Sequence, residues 1–361
     1  MLYDLAKPIL HALDPETAHG LTLRALKTGL VKGCSGADDP RLKVTLWQRN
    51  FPNPVGLAAG FDKNADVIAP MLSFGFGFVE CGTVTPRPQV GNPRPRVFRD
   101  APHEAIINRM GFPGGGLDLF KKNIQKFLGV SPRPAGLVGL NIGMNKTQKE
   151  PAKDYCQLVR ALGPYADYFT VNISSPNTPG LRNLQEREPF LDLIGQIMTE
   201  RKISCGTSSP PPLLVKLSPD LREEQIDELA QAALDSGIDG LILTNTTLDR
   251  PPYLPQEFAA QQGGLSGEPV CDKSTDMIAR FYKATDGKLP IIGVGGISSA
   301  QDAYDKIRAG ASLVQLYSAL VFHGPALVEE IKHGLLRLMD RDNVKNISDI
   351  VGVHASASKA A

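Results

Sequence analysis

Short apolar runs alternate with amphipathic segments along the chain from residue 55 onward. Eight short runs are rich in apolar residues, most of them on both faces, and they cover residues 55–60, 77–84, 137–143, 167–174, 213–218, 240–246, 290–296 and 313–318. Runs without polar alternation are typical of strands covered on both faces, as in parallel sheets. Between them, apolar residues recur at helical spacing in residues 152–166, 188–204, 222–236, 275–285, 300–309 and 325–339.

Eight strands that alternate with helices predict an α/β fold of the (β/α)8 TIM-barrel type. An open doubly wound sheet is the competing arrangement, and it is less favoured because no GxGxxG motif follows the first strand. Functional residues of TIM barrels lie at the carboxyl ends of the strands. There the sequence places two lysines and five asparagines, more polar residues than capping of the strand ends requires, so we expect a ligand site.

Residues 1–40 stand apart from the barrel pattern. Helical spacing of apolar residues predicts one helix over residues 2–13 and a second over residues 17–31, and residues 17–36 contain three basic residues and no acidic one. Two interpretations stay open: a helical hairpin packed on the barrel, or a segment that lies on a membrane surface. The predicted division is an N-terminal helical extension over 1–40, a barrel over 41–340 and a flexible tail, low in apolar residues, over 341–361.

Two insertions are longer than connectors between strands and helices. Residues 86–116 are rich in proline and arginine, and we expect a hairpin over the barrel mouth there. Residues 247–264 form a segment long enough to act as a lid.

Composition excludes several classes of function. The 361 residues are 42% apolar and 21% charged, and the net charge of +1 gives no indication of a nucleic-acid partner. Five scattered cysteines without a CxxC pair predict reduced thiols in a cytosolic compartment, and six histidines without ligand spacing predict no metal site. No apolar stretch reaches the roughly 18 residues of a membrane span, and no signal peptide is expected.

Lys216 is a lone charge within the apolar run Leu214–Ser218. Such a lysine needs a partner, which a phosphate, a carboxylate or an electron-rich ring supplies. A flavin fits, because its reduced ring carries negative charge that an ammonium stabilises. A Schiff-base lysine is the alternative, although the strand ends offer amides and hydroxyls rather than an acid–base partner. The glycine-rich residues 293–298 and residues 315–318 predict a phosphate site after strands seven and eight.

Six motifs occur in an order that identifies a family: DPETAH at 14–19, AAGFDKN at 58–64, GTVTP at 82–86, NRMGF at 108–112, NISSPNTPGLR at 172–182 and GGLSG at 263–267. With them the chain resembles the membrane-associated, quinone-linked class of dihydroorotate dehydrogenases, to about residue 340. The resemblance implies an FMN-binding TIM barrel that oxidises (S)-dihydroorotate to orotate in de novo pyrimidine (UMP) biosynthesis. Electrons then pass to a membrane quinone.

The resemblance also implies peripheral membrane association through residues 1–40. No mitochondrial presequence precedes the first predicted helix, so we expect the cytoplasmic face of a bacterial inner membrane. Two alternatives stay open. One is a fumarate- or NAD-linked dihydroorotate dehydrogenase, which is disfavoured because the chain has Ser175 where that class has cysteine and because it has the extension 1–40. The other is a non-catalytic membrane-bound barrel.

The resemblance assigns roles to individual residues. Ser175 is the implied catalytic base, where the class that uses other acceptors has cysteine; because an unassisted serine is a poor base, we expect a relay with Thr178 as a candidate. His19 and Arg99 are implied at the quinone. The implied FMN contacts are Ala58, Ala59, Gly60, Phe61, Asp62, Lys63, Thr83, Asn141, Asn172, Lys216, Thr244, Gly267, Gly296, Tyr317 and Ser318. The implied substrate contacts are Lys63, Asn108, Arg109, Met110, Gly111, Phe112, Asn172, Asn177, Asn245 and Thr246.

Overall fold

A closed barrel of eight parallel strands forms the centre of the protein, whose computed structural model describes residues 2–29, 31, 33, 36–205 and 209–357. In chain order the barrel strands are Val55–Leu57, Phe78–Val84, Leu137–Ile142, Tyr168–Asn172, Leu213–Leu217, Gly240–Leu243, Ile291–Val294 and Ala311–Leu316. The eighth strand pairs with the first, Val314 opposite Val55, and this pairing closes the barrel. Each of the eight apolar runs overlaps one barrel strand, so the predicted (β/α)8 fold is confirmed.

Helices cover the outside of the barrel. They are Ile68–Ser73, Gly116–Leu128, Pro151–Leu162, Arg187–Cys205, Glu223–Ser236, Cys271–Ala284, Ala300–Ala309, Ser318–His323 and Leu327–Arg341. Short 3-10 turns occupy Pro40–Leu42, Gly163–Tyr165, Leu181–Gln185, Glu268–Val270 and Ile347–Ile350. All six helices that were predicted between the barrel strands are present. The end of one helix could be predicted because a glycine follows it: Gly237, at φ 69°, comes directly after the helix that ends at Ser236.

Glycines inside the barrel leave room for two large aromatic rings. A Cβ atom on Gly56 would lie 2.3 Å from the ring of Phe78, and one on Gly139 would lie 2.1 Å from the ring of Tyr168. The hairpin of Val44–Leu46 and Arg49–Phe51 packs Phe51 edge-on against Phe78, with ring centroids 5.3 Å apart. Aromatic side chains therefore fill the amino end of the barrel, and the carboxyl end is the one left for a ligand.

A three-stranded antiparallel sheet joins the two insertions beside the carboxyl end of the barrel. The hairpin Val97–Asp100 and Ala105–Asn108 was predicted within residues 86–116, and Gly264–Gly267 is the third strand. The segment before that strand includes the helix Gln256–Ala259. Its shape is held by the Arg250 guanidinium, which donates to six backbone carbonyls between residues 247 and 263. The role of this segment as a lid stays a prediction.

Two N-terminal helices, Leu2–Ala12 and Pro15–Lys27, form the predicted hairpin extension. The second helix begins earlier than expected because Asp14 caps it, accepting from the Thr17 N–H at 2.9 Å, and Pro15 suits the first helical position. Residue 30, within the predicted span of this helix, lies outside the described residues. No helix among the residues described has the length and apolar character needed to cross a bilayer.

The segment 341–361, expected to be a flexible tail, is folded as far as residue 357. Asn346 caps the turn Ile347–Ile350, and the helix Val353–Ala357 follows. Ile347 and Ile350 are buried in the main core, so a few well-placed apolar side chains are enough to fix a segment of low apolar content. Residues 358–361 lie outside the described residues. The domain limits at residues 40 and 340 stay a prediction.

Candidate functional site

A large cavity opens at the carboxyl ends of the barrel strands and continues between the two N-terminal helices. Most residues with a predicted role in cofactor, substrate or proton chemistry line it. They are Ala58, Ala59, Gly60, Phe61, Lys63, Thr83, Asn108, Met110, Gly111, Phe112, Asn172, Ser175, Asn177, Lys216, Thr244, Asn245, Thr246, Gly267, Gly296, Tyr317 and Ser318.

Lys216 lies on the fifth barrel strand and is 6% exposed. It lines the cavity, and within the described part of the chain no hydrogen-bonding partner for its ammonium is found. Burial lowers the pKa of Lys216, and the charge of Glu80 partly offsets that effect. Because a buried charge without a partner is unfavourable, this wall of the cavity fits an anionic or electron-rich ligand.

Three amides and a hydroxyl form a connected layer at the strand ends. Thr83 Oγ1 donates to Asn141 Oδ1 at 2.6 Å, and Asn172 Nδ2 donates to Thr83 Oγ1 at 3.0 Å. Asn245 Nδ2 donates in turn to Asn172 Oδ1 at 3.3 Å. The layer is uncharged and combines donors with acceptors, which suits the edges of a flat polar ring.

Ser175 lines the cavity with a side chain that is 6% exposed. Its Oγ accepts from the Asn177 backbone N–H at 3.2 Å, and Asn177 Nδ2 donates to Asn108 O at 3.1 Å. The serine loop is thus joined to residues 108–112. Thr178 is buried nearby, but among the described residues no hydrogen bond joins it to Ser175, so the relay through Thr178 stays a prediction.

Lys63 and His19 stand close together where the barrel meets the N-terminal helices. Lys63 Nζ donates to Gly60 O at 2.5 Å, and burial lowers the pKa of Lys63 to about 8. Burial, and then the charge of Lys63, lower the pKa of His19 to about 3. The His19 ring is therefore neutral at physiological pH, and it packs edge-on against Phe61 with centroids 5.2 Å apart.

The part of the cavity between the N-terminal helices is lined by His19 and Arg99, the two predicted quinone residues. Arg99 donates to the carbonyl of His11 at 2.5 Å, and burial lowers the pKa of Arg99. A neutral imidazole, an aromatic ring and one half-buried guanidinium make a wall suited to an uncharged ring with polar oxygens.

Backbone rather than side chains forms part of the cavity wall in the loops after the sixth and seventh barrel strands. Gly267 and Gly296 have φ of 100° and 68°, a region that favours glycine. A Cβ atom would lie 1.9 Å from Glu104 O at Gly267 and 2.5 Å from Cys271 Cβ at Gly296. Only glycine fits here, as expected for a loop that brings its backbone close to an anion.

Three residues predicted as contacts do not line the cavity. Asp62 is buried and accepts from the Asp66 and Val67 N–H groups, both at 2.7 Å, and burial raises its pKa to about 6. The Arg109 guanidinium lies 4.6 Å above the Phe98 ring. Asn141 lies beneath Thr83 and is also fully buried. In this structure all three support neighbouring loops and strands.

A buried arginine that sequence analysis missed connects the N-terminal helices to the serine loop. Arg96 binds the Glu16 carboxylate through Nε at 3.0 Å and Nη2 at 2.7 Å, and it donates to Asn92 O at 2.9 Å. Asn92 Nδ2 then donates to the carbonyls of Arg109 at 2.9 Å and Asn177 at 3.3 Å. Hydrogen bonding to Arg96 is the main cause of the lowered pKa of Glu16.

Comparison with known proteins gives consistent matches. A protein-family model described as "Dihydroorotate dehydrogenase" matches residues 41–339. Proteins named "Dihydroorotate dehydrogenase (quinone)" are similar: one from Rhodospirillum rubrum is 49% identical over 99% of this chain and 96% of its own length. One from Azorhizobium caulinodans is 49% identical over 97% of this chain and 98% of its own length. A crystal structure of DHODH from Eimeria tenella in complex with ferulenol superposes with a TM-score of 0.90 at 40% identity, covering 94% of this chain and 96% of that one.

Proposed function

The chain belongs to the dihydroorotate dehydrogenase family, and from that premise we propose that it oxidises (S)-dihydroorotate to orotate with bound FMN and passes the electrons to a membrane quinone. The relatives named as quinone enzymes match nearly the whole chain, so the predicted enzyme class is confirmed. The observation that carries the cofactor is Lys216, a buried ammonium facing a cavity between glycine loops.

The family is flavin-dependent, and the residues of this cavity fit FMN. Lys216 offers a positive charge to the electron-rich ring edge, while Gly267, Gly296 and Ser318 form the wall where a phosphate is expected. Thr83 and Asn172 offer polar groups between these two ends. When bound, the flavin accepts a hydride from the substrate.

The remaining groups bind and deprotonate the substrate. Asn108, Asn177 and Asn245 read the imide edges of the ring by donating and accepting hydrogen bonds. Lys63 holds the substrate carboxylate, and its pKa of about 8 leaves it mostly charged at neutral pH. Ser175 takes the proton from the ring carbon next to the one that loses hydride.

The N-terminal helices form the quinone entrance and the membrane contact, with the protein on the cytoplasmic face of a bacterial inner membrane. Leu5 and Ile9 are exposed by 79% and 67% and lie one helical turn apart, on one face of the first helix. His19 and Arg99 line the inner end of the same passage. Apolar side chains on the outside and a neutral wall inside suit a lipid-soluble ring acceptor.

The test of this function is spectroscopic. The purified protein should be yellow, and anaerobic dihydroorotate should bleach the flavin band. Quinone should restore the band, whereas fumarate and NAD should leave it bleached. Restoration by fumarate or NAD would support the other class of enzyme, and a colourless protein that takes up no FMN would support a non-catalytic barrel.

Replacing Lys216 by methionine should weaken flavin retention. A hydrogen bond to a charged group contributes about 1.5 to 3 kcal/mol, so the dissociation constant of FMN should rise about tenfold to a hundredfold. The reduction potential of the remaining flavin should fall, because the positive charge that stabilises the reduced ring is lost. Flavin content and potential, measured on the purified variant, check both expectations.

Lys306 supplies the matched control for this variant. It is as buried as Lys216, but Nζ donates to Cys271 O at 3.0 Å and Thr275 Oγ1 at 2.8 Å, away from the cavity. Lys306→Met should destabilise the fold and leave the flavin potential unchanged. Full flavin content and an unchanged potential in Lys216→Met would show that this lysine does not hold the cofactor.

A further inference from the structure

Glu80 is a fully buried carboxylate in the middle of the second barrel strand. Four side-chain donors converge on it: Asn141 Nδ2 at 2.8 Å, Gln315 Nε2 at 2.9 Å, and the hydroxyls of Tyr168 and Thr170, both at 3.0 Å. Amide nitrogens can only donate, and an ionised carboxylate can only accept. The four donors come from three other strands, so hydrogen bonds to the Glu80 carboxylate connect four strands of the barrel.

The bond to Glu80 determines which way the Asn141 amide points. Because Nδ2 of Asn141 faces the carboxylate, its Oδ1 faces the cavity side and accepts from Thr83 Oγ1 at 2.6 Å and Asn172 Nδ2 at 3.3 Å. Thr83 uses its proton on Asn141, so its oxygen accepts from Asn172 Nδ2 at 3.0 Å. Reversing Asn141 would set its amide N–H groups against the Asn172 N–H groups.

The same order of donors and acceptors continues to the groups that are proposed to face the substrate. Because Asn172 Nδ2 donates to Thr83 and Asn141, Asn172 Oδ1 points the other way. It accepts from Ser174 Oγ at 3.2 Å and from Asn245 Nδ2 at 3.3 Å. Asn245 Oδ1 then accepts from the Thr246 N–H at 2.8 Å. Each amide orientation in this layer therefore depends on the one before it, and the layer begins at Glu80.

Lys216 stands on the fifth strand directly opposite Asn172, whose Nδ2 donates to the Asn141 amide that Glu80 binds. Of the ionisable groups described, Glu80 is the one whose charge opposes the effect of burial on Lys216. A negative charge near Lys216 weakens the positive field of its ammonium. The carboxylate therefore influences both the direction of the amides and the net charge that a ligand meets.

We propose that Glu80 is a positioning residue for the reaction, which fixes the donor and acceptor directions of Asn141, Asn172 and Asn245 and moderates the charge of Lys216. The proposal rests on the proposed function, since it concerns the binding of orotate and flavin. The competing interpretation is that Glu80 only ties the barrel strands together. That role would affect the stability of the fold but not the selectivity or the potential of the site.

The test is Glu80→Gln, which keeps the size of the side chain and removes its charge. A glutamine offers one acceptor oxygen in place of two, so Asn141 loses its fixed partner, and the orotate dissociation constant should rise about tenfold or more. The midpoint potential of the bound flavin should move to more positive values, by about 30 mV for each tenfold change in the two-electron equilibrium. Thr170→Val, which removes one donor and keeps the charge, is the control and should change neither quantity much.

Unchanged orotate affinity and potential in a folded Glu80→Gln protein would overturn the proposal and leave a purely structural role. If that variant does not fold, Asn141→Ala decides the question, because it interrupts the layer while Glu80 keeps its charge and three other donors. Wild-type orotate affinity in Asn141→Ala would overturn the proposal as well. A wild-type protein that binds neither FMN nor orotate would instead refute the proposed function.

Discussion

Replacing Ser175 by alanine should slow the reduction of bound flavin by dihydroorotate by about 10² to 10⁴, the usual contribution of positioned proton transfer. Flavin content and orotate affinity should stay near those of the wild type, because the Ser175 hydroxyl makes only a bond with the Asn177 N–H in the described part of the chain. Anaerobic stopped-flow mixing with dihydroorotate measures this half-reaction without the quinone step.

Two further variants make the assignment of Ser175 specific. Ser175→Cys keeps a group that can lose a proton and should recover part of the rate. Thr178→Val tests the predicted relay, and we expect a small effect because no bond joins the two hydroxyls in the structure. Flavin reduction at a near wild-type rate in Ser175→Ala would mean that another group is the base.

The barrel could be predicted from the sequence because its strands are buried on both faces. An apolar run such as 213–218 carries that information locally, without reference to any other part of the chain, and it contains the strand Leu213–Leu217. Lys216 was identified for the same reason, as a charge that interrupts an apolar run. Glu80 interrupts the run 77–84 in the same way, so the signal was present. Its meaning depends on partners as distant as Gln315, which only closure of the barrel brings within 2.9 Å.

Sequence motifs could place most of the proposed site residues at one cavity, but they could not give the orientation of each side chain. Motifs at strand ends identify loops, and 20 of the 23 predicted contact residues, together with Ser175, line the cavity. The motifs do not specify which side chain within a loop turns toward the cavity, and in the structure Asp62 accepts from the Val67 N–H and Arg109 lies over Phe98 instead of lining it. Their predicted roles as contacts stay predictions. The ion pair between Glu16 and Arg96 could not be predicted for a related reason. Its members are 80 residues apart, and no local pattern connects them.

Introducing glutamate at both Leu5 and Ile9 should release the protein from lipid vesicles. Burial of a large apolar side chain contributes about 1.5 to 3 kcal/mol, so loss of two should lower vesicle partitioning by about 10² to 10⁴. The fold should tolerate the change, because both side chains are largely exposed while Tyr3 and His11 on the same helix bond to the Val321 carbonyl at 2.6 and 2.8 Å. Vesicle flotation and flavin reoxidation by long-chain quinone in vesicles measure the effect.

The control for this pair of substitutions is Ile203→Glu, which places a charge on an apolar side chain that is 74% exposed on the helix Arg187–Cys205. It should leave vesicle binding unchanged. In the double variant, dihydroorotate should still reduce the flavin at the wild-type rate, and a short water-soluble quinone should still reoxidise it, because the inner wall with His19 and Arg99 is untouched. Only the long-chain acceptor, which enters from the bilayer, should react slowly. If the double variant binds vesicles and reduces long-chain quinone as the control does, the N-terminal helices are barrel packing rather than a membrane contact.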